Sequence, residues 1–168
     1  LLAGNAVVWK PSEYVPLVSQ MIHKAFDIAG VPSGVLNLAT GDESTGKHLV
    51  DANIDMLCFT GSSETGKEVM SRAGRQLKKV VLELGGSDPF IIMEDADIER
   101  SLTGAVVGRF YACGQCCTAA KRFLVHNSIF EEFKEKFVEK VEKLVIGDPS
   151  NESTDIGPLV SREQLNRL

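Results

Sequence analysis

The stretch FTGSSETGKEVM, residues 59–70, sets Gly61 ahead of Gly66-Lys67 at the spacing of a phosphate-binding P-loop, yet Glu68 stands where that loop needs a Ser or Thr hydroxyl to hold Mg²⁺. The same pattern occurs upstream in TGDESTGKHLV, residues 40–50, where Gly41 precedes Gly46-Lys47 and His48 follows. Both copies fail at the metal position, which argues against an ATP-dependent P-loop enzyme. What both keep is a glycine turn between an apolar run and a helix-periodic one. The amides that open such a helix are unpaired and its dipole favours negative charge, so the turn can receive a pyrophosphate without a metal clamp. An ordinary strand-to-helix glycine turn reads the same way, and these residues alone leave the two readings open.

Outward from these turns, runs rich in Val, Ile and Leu alternate with segments of helical period. The pattern predicts strands over 6–9, 35–38, 56–59 and 80–84, and helices over 17–29, 43–50 and 64–73. In the first helix Val18, Met21, Ile22, Ala25, Phe26 and Ala29 recur at three- and four-residue spacing along one face. Such a chain is α/β, a Rossmann-like, mostly parallel sheet of βα units with ligand contacts at the carboxyl ends of its strands. After Gly85-Gly86 the rhythm changes to a strand over 89–93, a helix over 98–111, a strand over 123–126 and a long Lys- and Glu-rich helix over 129–145. The expected division is residues 1–85, part of a dinucleotide-binding domain, and residues 86–168, the start of a second α/β domain.

Composition narrows the partners. A chain of 168 residues with 43% hydrophobic content can bury a sizeable core, and its 18 basic and 23 acidic residues, net charge -5, are scattered without a basic block for a nucleic-acid backbone. No uncharged apolar run approaches the roughly 18–20 residues of a bilayer span, and no positively charged start precedes a short apolar core and a cleavage site. A cytoplasmic protein with no nucleic-acid or membrane partner is expected. Four cysteines, Cys58, Cys113, Cys116 and Cys117, are too few and too clustered for a disulfide framework and fit a reducing compartment. The chain starts LLAGNAVVWK without an initiator Met and stops within SREQLNRL, so it reads as a piece of a longer polypeptide.

Three further places carry candidate chemistry. Lys10 and Glu13 flank the end of the first strand, where an acidic side chain can accept from a ribose diol and repel a 2′-phosphate, favouring NAD over NADP; KPSE is equally a strand end followed by a helix cap through Ser12 or Glu13. In CGQCCT, zinc needs about four ligands and no second pair is offered, and a disulfide between neighbouring Cys116 and Cys117 would strain the peptide. A redox dithiol at the CxxC-spaced Cys113 and Cys116, without a thioredoxin-like context, and a nucleophilic thiol among small core cysteines are the readings left open. Glu83 lies at the apolar end of VVLELGG, either as a surface carboxylate paired with Lys78 or Lys79, or as a general base beside a reacting centre.

Taken in order, AGNAVVWKPSE, GVLNLATG, FTGSSETGK, VVLELGGSDPF, GQCCTAAKRFLVH and DIGPL make the whole chain resemble the aldehyde dehydrogenase superfamily. GGSDPF and TAAKRF look most like the branch acting on small semialdehydes such as succinate semialdehyde. The resemblance implies Cys117, in the family's GQxCxA pattern, as the nucleophile and Glu83 as the general base. It implies Lys10 and Glu13 as adenosine-ribose contacts and Ser62 as the pyrophosphate contact, with Gly61 and Gly66 shaping that turn and Gly41 at the equivalent turn upstream. It further implies NAD, with NADP possible, a small aldehyde substrate, no metal, and a homo-oligomer when full length. The family's oxyanion-hole asparagine is then expected upstream of Leu1, and the acidic residue on the nicotinamide ribose downstream of Leu168. A non-catalytic dinucleotide-binding or interaction fragment of the same fold is the alternative.

Overall fold

Short β-branched runs and longer helical ones alternate in the computed structural model, which describes residues 1–168. In chain order they are β1 (Val7–Trp9), α1 (Pro16–Ile28), β2 (Leu36–Leu38), α2 (Glu43–Asp51), β3 (Met56–Gly61), α3 (Ser63–Gly74) and β4 (Lys79–Leu84). There follow β5 (Asp88–Ile92), α4 (Ile98–Phe110), a 3₁₀ turn (Tyr111–Gly114), β6 (Ala120–Val125), a second 3₁₀ turn (Asn127–Ile129), α5 (Phe130–Glu142) and α6 (Arg162–Asn166). The chain folds as two compact units, Leu1–Glu83 and Leu84–Leu168.

In the first unit β1 and β2 run parallel, Val7 opposite Leu36 and Trp9 opposite Leu38, while β3 pairs with β4. The parallel α/β character expected from the sequence is present, but as separate two-stranded pairs, because three-residue strands such as β1 and β2 offer few ladder bonds. Lys78 closes this unit by donating to the Val50 carbonyl at 2.6 Å and to the Ala52 carbonyl. It is therefore held by α2 and is not a partner of Glu83.

Helix α1 departs from its sequence pattern. The predicted stripe is largely open, with Met21 72% and Val18 54% exposed, whereas the side turned inward runs through buried Ser19 and half-buried His23 and Phe26, at the edge of that stripe. Burial is tolerable because the Ser19 hydroxyl donates to the Val15 carbonyl at 2.8 Å, leaving no orphaned donor. His23, one turn further, bonds the Leu36 carbonyl of β2 at 3.1 Å. Nor does KPSE cap this helix: it starts at Pro16, and the Ser12 hydroxyl instead accepts the Tyr14 N–H at 3.3 Å.

The second unit is built on the parallel pair β5 and β6. Ile92, Leu102, Ala105 and Phe133 form its buried core, with Phe90, Phe123 and Phe137 packed around them and the Phe123–Phe137 ring centroids 5.1 Å apart. Strand β6 begins three residues earlier than predicted, immediately after the cysteine loop. The last long helix is shorter than its pattern, because residues 127–129 form a 3₁₀ turn and α5 ends at Glu142.

Candidate active site

The carboxyl ends of β1 and β2 bring the first candidates together. The Trp9 carbonyl accepts the Ala39 N–H at 2.9 Å, which sets the residue before Lys10 beside the start of the turn that contains Gly41. The half-buried Lys10 ammonium stands 3.4 Å from the Glu13 carboxylate. Glu13 is held below the usual carboxylate range by its backbone hydrogen bond first and by Lys10 as well, against desolvation and the nearby Asp42 charge. Gly41 has φ +150°, and a Cβ there would meet the Thr45 hydroxyl at 2.1 Å, so both conformation and space require glycine. Asp42 caps α2 through the Ser44 N–H at 2.9 Å.

The turn after β3 is relaxed. Ser62 caps α3: its hydroxyl oxygen accepts the Thr65 N–H at 3.1 Å and lies 2.9 Å from the Thr65 hydroxyl. Gly61 is set by packing, since a Cβ would come within 2.5 Å of the Phe59 ring. Gly66 is buried within α3 and its N–H donates to the Ser62 carbonyl at 2.9 Å. The Ser63 and Glu64 N–H groups find no backbone acceptor, so the helix opens with two amides available to an anion. Glu68, at the position where a P-loop carries its metal hydroxyl, pairs with Arg72 at 3.3 Å and lies 3.9 Å from Lys47, which is itself 2.6 Å from Glu43. Lys47 and Glu68 are thus ion-pair partners between α2 and α3. Glu83, the last residue of the first unit, presents an exposed side chain on β4.

In the second unit the cysteine loop is strained and then sharply anchored. Ala112, Cys113 and Gly114 have φ of +51°, +58° and +73°, three successive left-handed residues, of which only the glycine adopts that region without cost. Space at Gly114 is tight, since a Cβ would stand 3.1 Å from the Arg109 guanidinium and 3.2 Å from the Arg109 carbonyl. Arg109 Nη1 is buried without a hydrogen-bond partner. Gln115 then secures the loop: its side-chain oxygen accepts the Val160 N–H at 3.0 Å and its amide donates to the Ala112 carbonyl at 3.3 Å.

Cys117 follows on a turn closed by the Ala119 N–H to the Cys116 carbonyl at 3.1 Å, above buried Ala119 and Ala120. Its thiol is exposed and its N–H meets no backbone acceptor. A thiol with a free backbone N–H beside it can attack a carbonyl and stabilise the oxyanion that forms. Sequence reasoning missed the state of its neighbour: the Thr118 hydroxyl, 3.2 Å from Cys116 Sγ, together with the Thr118 backbone, holds the Cys116 thiol below the ordinary thiol range. The CCT order is the signal that could have found it, since a hydroxyl two residues on is within reach of a thiol in a tight turn.

The aldehyde dehydrogenase family model matches residues 1–168, the entire chain. The chain belongs to the aldehyde dehydrogenase family. As a member of that family it is 43% identical to a betaine aldehyde dehydrogenase of Brucella anthropi, aligned over 100% of this chain and 35% of the relative. It superposes on a gamma-glutamyl-gamma-aminobutyraldehyde dehydrogenase from Burkholderia cenocepacia with a TM-score of 0.93 and 40% identity, over 98% of this chain and 34% of that one. It also superposes on the betaine aldehyde dehydrogenase of Staphylococcus aureus, solved in complex with NAD+, with a TM-score of 0.90 and 36% identity, over 96% of this chain and 32% of that one. The chain thus spans about a third of the length of the relatives it matches. No helix is long and apolar enough to cross a membrane.

Proposed function

We propose that this chain forms part of an enzyme that oxidises a small aldehyde to the carboxylic acid with NAD(P), using Cys117 as nucleophile and Glu83 as general base. The observation that carries the reading is the exposed Cys117 thiol with its free N–H, at the family's GQxCxA position. Cys117 is preferred over Cys116 because a nucleophile needs access as well as acidity, and the Cys116 side chain is half-buried and committed to Thr118. Residues 1–85 serve as the dinucleotide-binding part and residues 86–168 as the first part of the catalytic domain, a division supported by the two compact units.

The residues of the first unit suit a dinucleotide. Lys10 and Glu13 offer a cation and a carboxylate to a ribose diol, and the Ser63 and Glu64 amides offer donors to a pyrophosphate, while Gly41, Gly61 and Gly66 keep these turns narrow. Ser62 acts in this proposal mainly by capping α3. When bound, the nicotinamide supplies the hydride acceptor. The chain's own part is covalent: Cys117 thiolate adds to the aldehyde carbon, its N–H holds the resulting oxyanion, and collapse with hydride loss leaves a thioester on Cys117. Glu83 takes a proton from water, which attacks the thioester to release the acid and the free thiol.

The substrate proposed is a small aldehyde with a polar far end. Succinate semialdehyde follows from GGSDPF and TAAKRF alone, whereas the names of the relatives point to betaine aldehyde and aminobutyraldehyde-type compounds. Four free thiols fit the reducing cytoplasm, and a homo-oligomer is proposed from the family resemblance. The test is an assay of the complete protein with these three aldehydes and either NAD or NADP. NADH or NADPH formation that disappears in Cys117→Ser supports the proposal; turnover retained by Cys117→Ser overturns it.

A further inference from the structure

Strand β6 carries a bulge whose extra residue is Lys121. Asp88 of β5 lies opposite Ala120, but the next residue, Pro89, lies opposite Arg122. Proline has no N–H to give the ladder, so a register break opposite it is the expected accommodation, and a bulge re-aims the side chain it displaces. Here that side chain turns back on the cysteine loop: the Lys121 ammonium donates to the Gly86 carbonyl at 2.5 Å and to the Cys117 carbonyl at 3.4 Å. Arg122 reinforces the attachment by donating to the Ser87 carbonyl at 2.9 Å. A Cβ added at Gly86 would stand in ordinary contact with the Cys117 carbonyl oxygen, at 3.9 Å, so the two backbones are neighbours here.

We propose that Lys121 is a positioning residue for Cys117, holding the nucleophile's peptide plane against the Gly86–Ser87 backbone through the bulge that Pro89 imposes. The proposal rests on Cys117 being the nucleophile. The Cys117 carbonyl matters because it is bonded to the Cα from which both the attacking thiol and the N–H that receives the oxyanion project, so anchoring it limits rotation at Cys117 that would misalign the two. A lysine suits the task because one ammonium can donate to two carbonyls that have no other donor between them. The Cys116 thiol also feels this cation, which lowers it as a minor contribution after Thr118.

The experiment uses the complete enzyme, with Lys121→Met, Lys121→Arg and Cys117→Ser measured in parallel. The readouts are the single-turnover burst of NADH, the NAD dissociation constant, and iodoacetamide labelling of Cys117 and of the exposed Cys58. Lys121→Met is expected to slow the burst about tenfold, a moderate loss for a small misplacement of a reacting group. NAD affinity and Cys58 labelling should stay at wild-type levels, Cys117 should still be labelled, and Lys121→Arg should recover most of the burst. The proposal is overturned by an unchanged burst in Lys121→Met. It is equally overturned if the burst falls together with NAD affinity, which marks a general loosening, or if Arg fails to recover the burst. A burst retained by Cys117→Ser instead removes the assignment of the nucleophile, so the two failures are distinguishable.

Discussion

The turn after β3 and the loop before β6 both carry candidate functional residues, and they are built on opposite terms. In the turn every side chain has a local reason: Ser62 caps α3, Phe59 demands Gly61, and Glu68 pairs with Arg72. The loop holds two non-glycine residues in the left-handed region, leaves Arg109 Nη1 buried and unpaired, and lowers a thiol. Strain and unmet polar groups persist where surrounding structure over-determines them, and they concentrate at sites of chemistry. A turn that only presents amides to an anion can be relaxed, whereas a loop that must aim a thiol is held against its own preferences.

The largest expected effect falls on the strained side. Cys117→Ser should lower NADH production by about 10³-fold or more, while Cys116→Ser stays within a few-fold of wild type, the scale expected when only one of two thiols is the nucleophile. Glu83→Gln should leave the first-turnover burst intact and slow steady-state turnover by about 10²-fold, the lower end for loss of a general base. An unchanged steady state in that variant removes Glu83 from deacylation.

Stability changes should then run in opposite directions in the two regions. Ser62→Ala removes a cap and should cost about 1 kcal/mol in denaturant unfolding, with Ser62→Asp restoring it. Ala112→Gly should stabilise by about 1 kcal/mol, because glycine enters the left-handed region without the penalty alanine carries. Equal destabilisation by both would erase the contrast. The smallest effect is a pH shift. Because Thr118 favours the thiolate, iodoacetamide labelling of Cys116 should persist as pH falls below the range where Cys116 reacts in Thr118→Val. Identical profiles in the two proteins would contradict this.

Much of this organisation was legible in the chain. The helices of the first unit were found within a residue or so, because their glycine turns and apolar periods are local signals. What stayed hidden depends on distant partners. The buried side of α1 carries His23, whose bond to the Leu36 carbonyl of β2 no periodicity announces. Lys78 could have paired with Glu83 but instead meets carbonyls of residues 50 and 52. The bulge at Lys121 needs Pro89 from a strand more than 30 residues away. The left-handed path of Ala112 and Cys113 is unreadable as well, since neither residue prefers it.

The central claim is that the acyl group is carried by Cys117 and released through Glu83. The most direct test is to mix the Glu83→Gln enzyme with aldehyde and NAD, quench it in acid within the first turnovers, and map the thioester by peptide mass. The account predicts one acyl group, on Cys117, accumulating in the variant and scarce in the wild type. An acyl group on Cys116, or none on either cysteine while NADH forms, would contradict it.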